Sequence, residues 1–225
     1  MARRKNLRKT GYYELANCFG RNKTPGWQQY LPGDKPLTLE LGCGKADFSY
    51  ELALRHPDEA FLGIDLKPDR MWYAATRALE QQVPNIAFLQ IHLLELPEFV
   101  PPACADTIWI TFPDPFPKKR QAKHRMTNPP FLDLYRRILK PGGSLCFKTD
   151  NLDLFHYSLE VLVRYPGVQF QALSFDLHAD EALPPDTRIE TAYEKQFRAL
   201  GQVIKYVQVR FEAHEAQREA GGLTS

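Results

Sequence analysis

A strand–helix–strand unit over residues 37–66 is the feature that most constrains how this chain folds. LTLEL at 37–41 predicts a short buried strand, residues 46–56 predict a helix that stops before Pro57, and AFLGIDL at 60–66 predicts the next strand. Two strands joined through a helix run parallel, because the helix returns the chain to the same end of the sheet. Parallel sheets are buried on both faces, so we expect further helices to cover this one.

The same alternation continues through the rest of the chain. Further strands are predicted at 85–91, 106–112, 144–149, 168–175 and 205–211. The expected fold class is therefore α/β, with a mostly parallel seven-stranded sheet and helices on both faces. We expect three regions: a basic, partly disordered N-terminal arm at 1–35, the folded domain at 36–213 and a flexible tail at 214–225.

Positive charge is concentrated in two short segments, although the net charge is only +2. MARRKNLRKTG at 1–11 contains five Lys or Arg residues and no acid, and KKRQAKHR at 118–125 contains five more. Local clusters of this kind favour a polyanion held at one surface. A solvated tail and a solvated loop are the alternative interpretation.

Other residue patterns argue against metal and membrane binding. The four cysteines form no CxxC pair, so no zinc-ligand spacing is present. Their scarcity is typical of a reducing cytoplasm. The basic N-terminus is not followed by an apolar stretch, and no run of 18 apolar residues occurs anywhere. We therefore expect a cytoplasmic protein with no metal and no membrane segment.

The turn after the first predicted strand, ELGCG at 40–44, indicates a nucleoside site. Ligands of an open α/β sheet bind at the carboxyl ends of its strands. Gly42 and Gly44 permit close approach of a ligand and a tight turn into the next helix. Asp65 ends the second strand 21 residues after Gly44, where a carboxylate can accept both ribose hydroxyls. This spacing suits a nicotinamide dinucleotide and S-adenosyl-L-methionine alike.

Acidic residues around the turn favour S-adenosyl-L-methionine. A dinucleotide site needs glycine or alanine where this chain has Asp47, and a carboxylate there would repel a pyrophosphate. Glu40, just before the first glycine, likewise suits a cationic ligand. S-adenosyl-L-methionine carries a sulfonium and an ammonium group and no phosphate.

Two candidate acceptor sites lie within residues 107–131. NPPF at 128–131 matches a tetrapeptide of amino-methylating enzymes, but it stands sixteen residues after Phe112, where the fourth strand ends. We interpret it as a helix start: a cap, two prolines and the first core residue. Asp114 instead follows the strand directly between two prolines, and the basic run begins at Lys118. A carboxylate that meets a base and cations that hold phosphates together favour RNA or DNA as the substrate.

Four motifs resemble those of the bacterial tRNA (guanine-N7)-methyltransferase family: ELGCGKA at 40–46, FPDPFPKKRQAKHR at 112–125, FKTDN at 147–151 and TAYE at 191–194. The resemblance covers about residues 37–212. It implies a Rossmann-like class I S-adenosylmethionine-dependent methyltransferase fold. It also implies methyl transfer from S-adenosyl-L-methionine to N7 of guanine 46 in the variable loop of tRNA.

The resemblance implies roles for individual residues. Cofactor contacts are expected from Glu40, Gly42, Gly44, Asp65, His92 and Asp114, of which Asp114 is also the catalytic residue. Substrate contacts are expected from Lys118, Asp150, Thr191, Tyr193 and Glu194, and RNA contacts from Lys119, Arg120, Lys123, His124 and Arg125. His92 stands where the family usually has Asp or Asn near the adenine.

Three other functions remain open from the residues alone. The first is methyl transfer to another substrate, such as an amine or a protein side chain. The second is a dinucleotide-dependent oxidoreductase, and the third is a non-catalytic RNA-binding protein on the same fold. The expected partner is tRNA, and the chain is either a monomer or a homodimer.

Overall fold

The computed structural model describes residues 2–22 and 26–212. The chain forms two compact units. The first comprises Met1–Leu96 and Ile189–Ala192, and the second comprises Pro97–Arg188 and the chain from Tyr193 onward. The predicted flexible tail at 214–225 lies outside the described residues.

The first unit is built on parallel strands that are linked through helices. Its elements are α1 (Ala2–Tyr12), β1 (Cys18–Gly20), α2 (Trp27–Tyr30), β2 (Leu37–Leu41), α3 (Asp47–Arg55), β3 (Ala60–Asp65), α4 (Pro68–Glu80) and β4 (Ile86–Gln90), followed by a 3₁₀ turn at Leu93–Glu95. The strand order is β1-β4-β3-β2, and each neighbouring pair is parallel. The predicted strand–helix–strand unit at 37–66 is thus confirmed.

The remaining elements end in an antiparallel pair. They are α5 (Leu96–Phe99), β5 (Ala105–Thr111), α6 (Pro129–Ile138), β6 (Leu139–Thr149), α7 (Leu152–Arg164), β7 (Val168–Ser174), α8 (Ala192–Ala199) and β8 (Lys205–Phe211), with 3₁₀ turns at Lys119–His124 and Pro185–Arg188. Within the second unit the strand order is β5-β6-β8-β7. β5 and β6 are parallel, whereas β8 runs antiparallel to both β6 and β7.

The described residues contain eight strands, one more than predicted. The additional strand is β1, whose Cys18 and Gly20 pair in register with Phe88 and Gln90 of β4. The Tyr12 hydroxyl joins the two strands, since its one hydrogen is shared between the carbonyl oxygens of Phe19 at 3.1 Å and Phe88 at 2.9 Å. Three residues are too few to show a period in sequence, so this strand is defined by its partner.

The predicted N-terminal arm at 1–35 contains regular structure. Its described residues form α1, β1 and α2, and its partial disorder stays a prediction. Tyr12, Phe19 and Trp27 are buried, and each aromatic side chain of this kind stabilises the folded state by about 1.5–3 kcal/mol. The basic composition of the segment obscured these aromatic anchors. Among the described residues, no helix is long and apolar enough to cross a bilayer.

Candidate active site

The turn at residues 42–46, here called the glycine turn, leads from β2 into α3. Gly42, Gly44 and Ala46 have left-handed backbones, with φ of 69°, 58° and 56°. Glycine adopts this conformation freely, whereas Ala46 costs roughly 1 kcal/mol. The N–H groups of Gly42 and Cys43 both donate to the Ile64 carbonyl oxygen, at 2.8 and 3.1 Å. The turn is therefore tied to β3 and lies at the carboxyl ends of both strands.

Asp65, the last residue of β3, holds the glycine turn through both of its carboxylate oxygens. Oδ2 accepts the N–H of Gly44 at 2.9 Å, and Oδ1 accepts the N–H of Lys67 at 2.8 Å. A carboxylate has about four acceptor positions, so these two bonds fix its orientation and still leave lone pairs for a ligand. A fixed, half-exposed carboxylate fits a pair of ribose hydroxyls.

Glu40 lies beneath the glycine turn, and only 1% of it is exposed. Its Oε2 accepts the Ser49 hydroxyl at 2.5 Å and the Ser49 N–H at 3.2 Å. Ser49 belongs to the first turn of α3, where N–H groups lack helical partners and the helix dipole favours negative charge. The structure therefore gives Glu40 a supporting position at the start of α3, and its predicted cofactor contact stays a prediction.

The Cys43 thiol reports the electrostatic character of this turn. Burial raises its pKa well above the ordinary value, and the negative charges of Asp65 and Glu40 raise the pKa further. A negative potential of this kind stabilises a cation and repels a phosphate. The glycine turn therefore fits a nucleoside that carries positive charge and no phosphate.

His92 lies two residues beyond β4 and caps the 3₁₀ turn at Leu93–Glu95. Its Nδ1 accepts the Leu94 N–H at 3.2 Å, and its own backbone N–H donates to Glu95 Oε2 at 3.0 Å. Because Nδ1 accepts a hydrogen bond, the neutral ring carries its hydrogen on Nε2. The exposed ring thus presents a donor where an Asp would present only acceptors.

Asp114 lies three residues beyond the end of β5 at Thr111, in a loop whose backbone its neighbours constrain. Phe112 and Phe116 have left-handed φ values of 49° and 45°. Such a conformation costs a non-glycine residue on the order of 1–3 kcal/mol, and it is characteristic of functional loops. Pro113 and Pro115 stiffen the segment between them. The Asp114 carboxylate is exposed on this rigid loop.

Arg125 braces the loop at 112–117 that carries Asp114, here called the Asp114 loop. Its Nε donates to the Pro115 carbonyl oxygen at 3.1 Å, and its Nη2 donates to the Phe116 carbonyl oxygen at 3.0 Å. The guanidinium carbon lies 4.3 Å from the centre of the Tyr157 ring. The planar fork of Arg125 thus holds two carbonyl oxygens of the protein. A guanidinium has five N–H donors, so this positioning role leaves the predicted RNA contact of Arg125 a prediction.

The other cations of this segment face solvent. Lys118 precedes the 3₁₀ turn at Lys119–His124. Lys118 and the basic residues of the turn are exposed and are here called the basic turn: Lys118, Lys119, Arg120, Lys123 and His124. The charge that the sequence placed in a loop therefore belongs to an ordered turn beside the Asp114 loop. Such a surface can hold phosphate groups.

The NPPF segment begins α6, which confirms its interpretation as a helix start. Asn128 is the N-cap residue and Pro129 occupies the first helical position. The Asn128 side chain makes no capping bond and instead donates to the Tyr157 hydroxyl at 2.9 Å. Phe131 and Tyr135 then bury the inner face of the helix.

A buried charged cluster joins β6 to α8. Lys148 Nζ lies 2.7 Å from Glu194 Oε2, and His178 Nε2 lies 2.8 Å from Glu194 Oε1. Neither the Lys148 nor the Glu194 side chain is exposed, and buried charges are tolerated only when they are paired. Both oxygens of Glu194 face internal partners, so the structure gives this residue a positioning role. Its predicted substrate contact stays a prediction.

The other residues predicted to contact the substrate differ in their solvent exposure. Asp150 is half-buried just after β6, and its carbonyl oxygen accepts Lys205 Nζ at 2.8 Å. Thr191 is buried and belongs to the first unit. Tyr193 is exposed on α8, in the second unit.

An aromatic stack continues from Tyr193. Its ring stacks on Phe197 at 6.5 Å, and Phe197 stacks on Phe112 at 6.4 Å. The stack thus leads to Phe112, the first residue of the Asp114 loop. Sequence reasoning missed it, although the four-residue spacing of Tyr193 and Phe197 in a helix was the available signal.

The structure shows no candidate metal centre in the part of the chain that it describes. Within residues 2–22 and 26–212, no three His, Cys, Asp or Glu side chains are arranged to hold a metal ion.

Comparison with known proteins finds relatives along nearly the whole chain. A family model described as "Putative methyltransferase" matches residues 34–207. The tRNA (guanine-N(7)-)-methyltransferase of Cytophaga hutchinsonii is 35% identical over 218 residues, which are 94% of this chain and 99% of that protein. A protein of the same name from Streptococcus suis is 38% identical, over 83% of this chain and 86% of its own length.

Solved structures share the fold at lower sequence identity. The 16S rRNA methyltransferase KamB has a TM-score of 0.63 at 13% identity, over 85% of this chain and 95% of its own. The 16S rRNA (adenine(1408)-N(1))-methyltransferase of Catenulisporales acidiphilia has a TM-score of 0.57 at 15% identity, over 84% of this chain and 89% of its own. The predicted Rossmann-like methyltransferase fold is thus confirmed.

Proposed function

The chain belongs to the tRNA (guanine-N7)-methyltransferase family, and we propose that it transfers a methyl group from S-adenosyl-L-methionine to N7 of guanine 46 in the variable loop of tRNA. The exposed Asp114 carboxylate, held in a strained and braced loop after β5, is the observation that carries this proposal. The names of the relatives support the substrate and the reaction. We assign the activity to residues 36–213, which the family match at 34–207 supports. We place it in the cytoplasm, where the four free thiols stay reduced.

Residues of the first unit fit the methyl donor. S-adenosyl-L-methionine supplies an electrophilic methyl group on a positively charged sulfur when it is bound. In our proposal Asp65 accepts the ribose hydroxyls with its remaining lone pairs, and the glycine turn permits close approach. The negative charges of Asp65 and Glu40, which raise the Cys43 pKa, favour the cationic groups of the donor. His92 presents its Nε2–H to the adenine.

The acceptor chemistry needs placement more than proton transfer. Guanine N7 carries an in-plane lone pair and no proton, so its attack on a methyl group requires no general base. Fixed alignment of the reacting groups can lower the barrier by roughly 7–11 kcal/mol. Asp114 accepts the N–H groups on the opposite edge of the guanine and so orients N7. Its negative charge also stabilises the positive charge that grows on the base during transfer.

The basic turn supplies the attraction for RNA. Its exposed cations hold tRNA phosphates, which position the nucleic acid without reading its sequence. The aromatic stack that ends at exposed Tyr193 offers a face for an unstacked base near the Asp114 loop. Asp150, just after β6, is the second carboxylate proposed to meet the substrate.

The proposed function is tested with purified protein, unmodified tRNA and radiolabelled S-adenosyl-L-methionine. Digestion to nucleosides should yield 7-methylguanosine as the labelled product. A tRNA that differs only by adenine at position 46 is the matched control and should remain unlabelled. Label in another nucleoside, or equal labelling of the control, would contradict the proposal. Methylation of amines or proteins with no methylation of tRNA would establish the alternative substrate class.

A further inference from the structure

A cleft of about 480 Å³ opens in the first unit at the edge of the sheet. Tyr13, Gly20, Arg21, Asn22 and Gln90 line it. Gly20 and Gln90 are the paired last residues of β1 and β4, so the cleft lies at the carboxyl ends of these strands. Its volume is within the range of small-molecule sites, about 300–1,000 Å³.

Tyr13 forms a fixed aromatic wall of the cleft. The residue is 43% exposed, and its edge-on contact with buried Tyr12 has a centroid distance of 5.2 Å. Its hydroxyl donates to Gln90 Oε1 at 3.0 Å, and Gln90 Nε2 in turn donates to the Leu66 carbonyl oxygen at 3.3 Å. A rigid, exposed ring of this kind can stack on a planar ligand with little loss of side-chain entropy.

The polar residues of the cleft suit a nucleotide. Asn22 is exposed and can both donate to and accept from a base edge. The Arg21 side chain is 62% exposed and pairs with Glu95. Because a guanidinium has five N–H donors, it can also bind a phosphate. An aromatic ring, an amide and a guanidinium together are the groups by which proteins bind unstacked nucleotides.

The surface around the cleft favours RNA over a free nucleotide. Residues 1–11 contain no acid, and Lys5 and Lys9 of α1 are exposed. The exposed Tyr73 ring lies near two cations: the Arg8 guanidinium carbon is 4.9 Å and Lys45 Nζ is 5.9 Å from its centroid. Exposed cations on α1, next to the Tyr73 ring of α4 and the cations that approach it, are features of a surface that tracks a phosphate backbone.

We propose that this cleft binds an unpaired nucleotide of the tRNA, while α1 holds the neighbouring phosphates. The inference rests on the proposed function, because it assumes that tRNA is the substrate. It assigns the basic residues of the N-terminal segment a role in RNA binding separate from that of the basic turn. The base stacks on Tyr13, and its edge meets Asn22.

Two substitutions at Tyr13 separate stacking from structural support. Tyr13→Ala removes the ring and should weaken tRNA binding by about 5- to 100-fold, in line with base–aromatic stacking. Tyr13→Phe keeps the ring but removes the bond to Gln90, and it should retain most of the affinity. Asn22→Ala, at an exposed position, should weaken binding with no change in thermal stability. Phe170→Ala, which removes an exposed ring on β7, is the matched control.

The dissociation constants of tRNA and of S-adenosyl-L-methionine are measured for each variant, together with KM and kcat. The expected result is a raised tRNA dissociation constant and KM for Tyr13→Ala, with donor affinity unchanged. Unchanged tRNA affinity in Tyr13→Ala and Asn22→Ala would overturn the inference. Weakened donor binding with unchanged tRNA binding would also overturn it and would assign the cleft to the donor. Failure of the wild-type protein to methylate tRNA contradicts the proposed function itself, and the binding measurements distinguish that outcome from failure of the cleft assignment.

Discussion

Lys148 Nζ and Glu194 Oε2 form an ion pair of 2.7 Å in which neither side chain is exposed. Lys148→Met leaves the desolvated Glu194 carboxylate with His178 as its remaining side-chain partner in this cluster, so it should lower the free energy of unfolding by about 3–5 kcal/mol. The double variant with Glu194→Leu should recover much of this loss, because it buries no charge. Urea denaturation measures the free energy of unfolding of the wild-type protein, the single variant and the double variant.

The exposed pair of Lys140 and Asp106 is the control for this prediction. Its N–O distance is also 2.7 Å, but its side chains are 42% and 37% exposed. Lys140→Met should therefore cost only about 0–1 kcal/mol. Equal losses at Lys140 and Lys148 would show that burial does not decide the strength of these pairs.

Asp114 should be required for turnover and dispensable for folding. Asp114→Asn keeps the size of the side chain and removes its charge, so kcat should fall by about 100- to 1,000-fold, as when a group that stabilises transition-state charge is removed. Calorimetry should still detect donor binding, and the unfolding midpoint should not move, because the side chain is exposed. Glu160→Gln, at an exposed acid of α7, is the control and should leave kcat unchanged. Near-normal turnover of Asp114→Asn would remove Asp114 from the mechanism.

The free energy of unfolding should fall at alkaline pH, because the Cys146 thiol ionises more readily in the unfolded chain than in the folded protein. Burial raises the pKa of this thiol from 9.0 to about 12. Above pH 9 the unfolded chain releases the proton that the folded protein retains. This thiol's contribution to stability is thus complete below pH 9 and declines progressively towards pH 12, by about 1.4 kcal/mol per pH unit. Cys146→Ala should show a shallower decline of unfolding free energy between pH 9 and 10; parallel curves would contradict the prediction.

The basic turn should set the salt dependence of tRNA binding. Replacement of Lys119, Arg120 and Lys123 by Gln should weaken binding and reduce the slope of log K against log salt by about 0.7–0.9 for each phosphate group that the protein no longer neutralises. The control replaces exposed cations elsewhere in the second unit: Arg137, Arg164 and Arg210. Both triple variants have the same net charge. An equal change of slope in the two would therefore indicate only long-range attraction between the protein and tRNA.

Features set by position along the chain were predictable from sequence, and features set by distant partners were not. Asp65 ends β3 and Asp114 lies in the loop after β5, and the carboxyl end of a parallel strand has a defined place in the fold. Lys148 and Glu194 are 46 positions apart in the sequence, and no local sequence pattern predicts that they form a pair. His178 completes that cluster from a segment with no strand or helix signal.

Arg125 illustrates the same limit within a motif. In sequence it is one cation of the KKRQAKHR run, equivalent to Arg120. In the structure its guanidinium binds the carbonyl oxygens of Pro115 and Phe116, whereas Arg120 is exposed. The sequence shows that a side chain is charged, but it does not show whether its N–H donors already bind backbone carbonyl oxygens.

Arg125→Lys tests whether Arg125 positions the Asp114 loop. Lysine keeps the positive charge but lacks the planar fork that reaches two carbonyl oxygens at once. We expect kcat to fall by at least about tenfold, because small displacements of a positioned group are costly in catalysis. The salt dependence of tRNA binding should be unchanged, whereas a residue that neutralises a phosphate would reduce its slope when replaced. Full activity together with a reduced slope would assign Arg125 to RNA binding and contradict its positioning role.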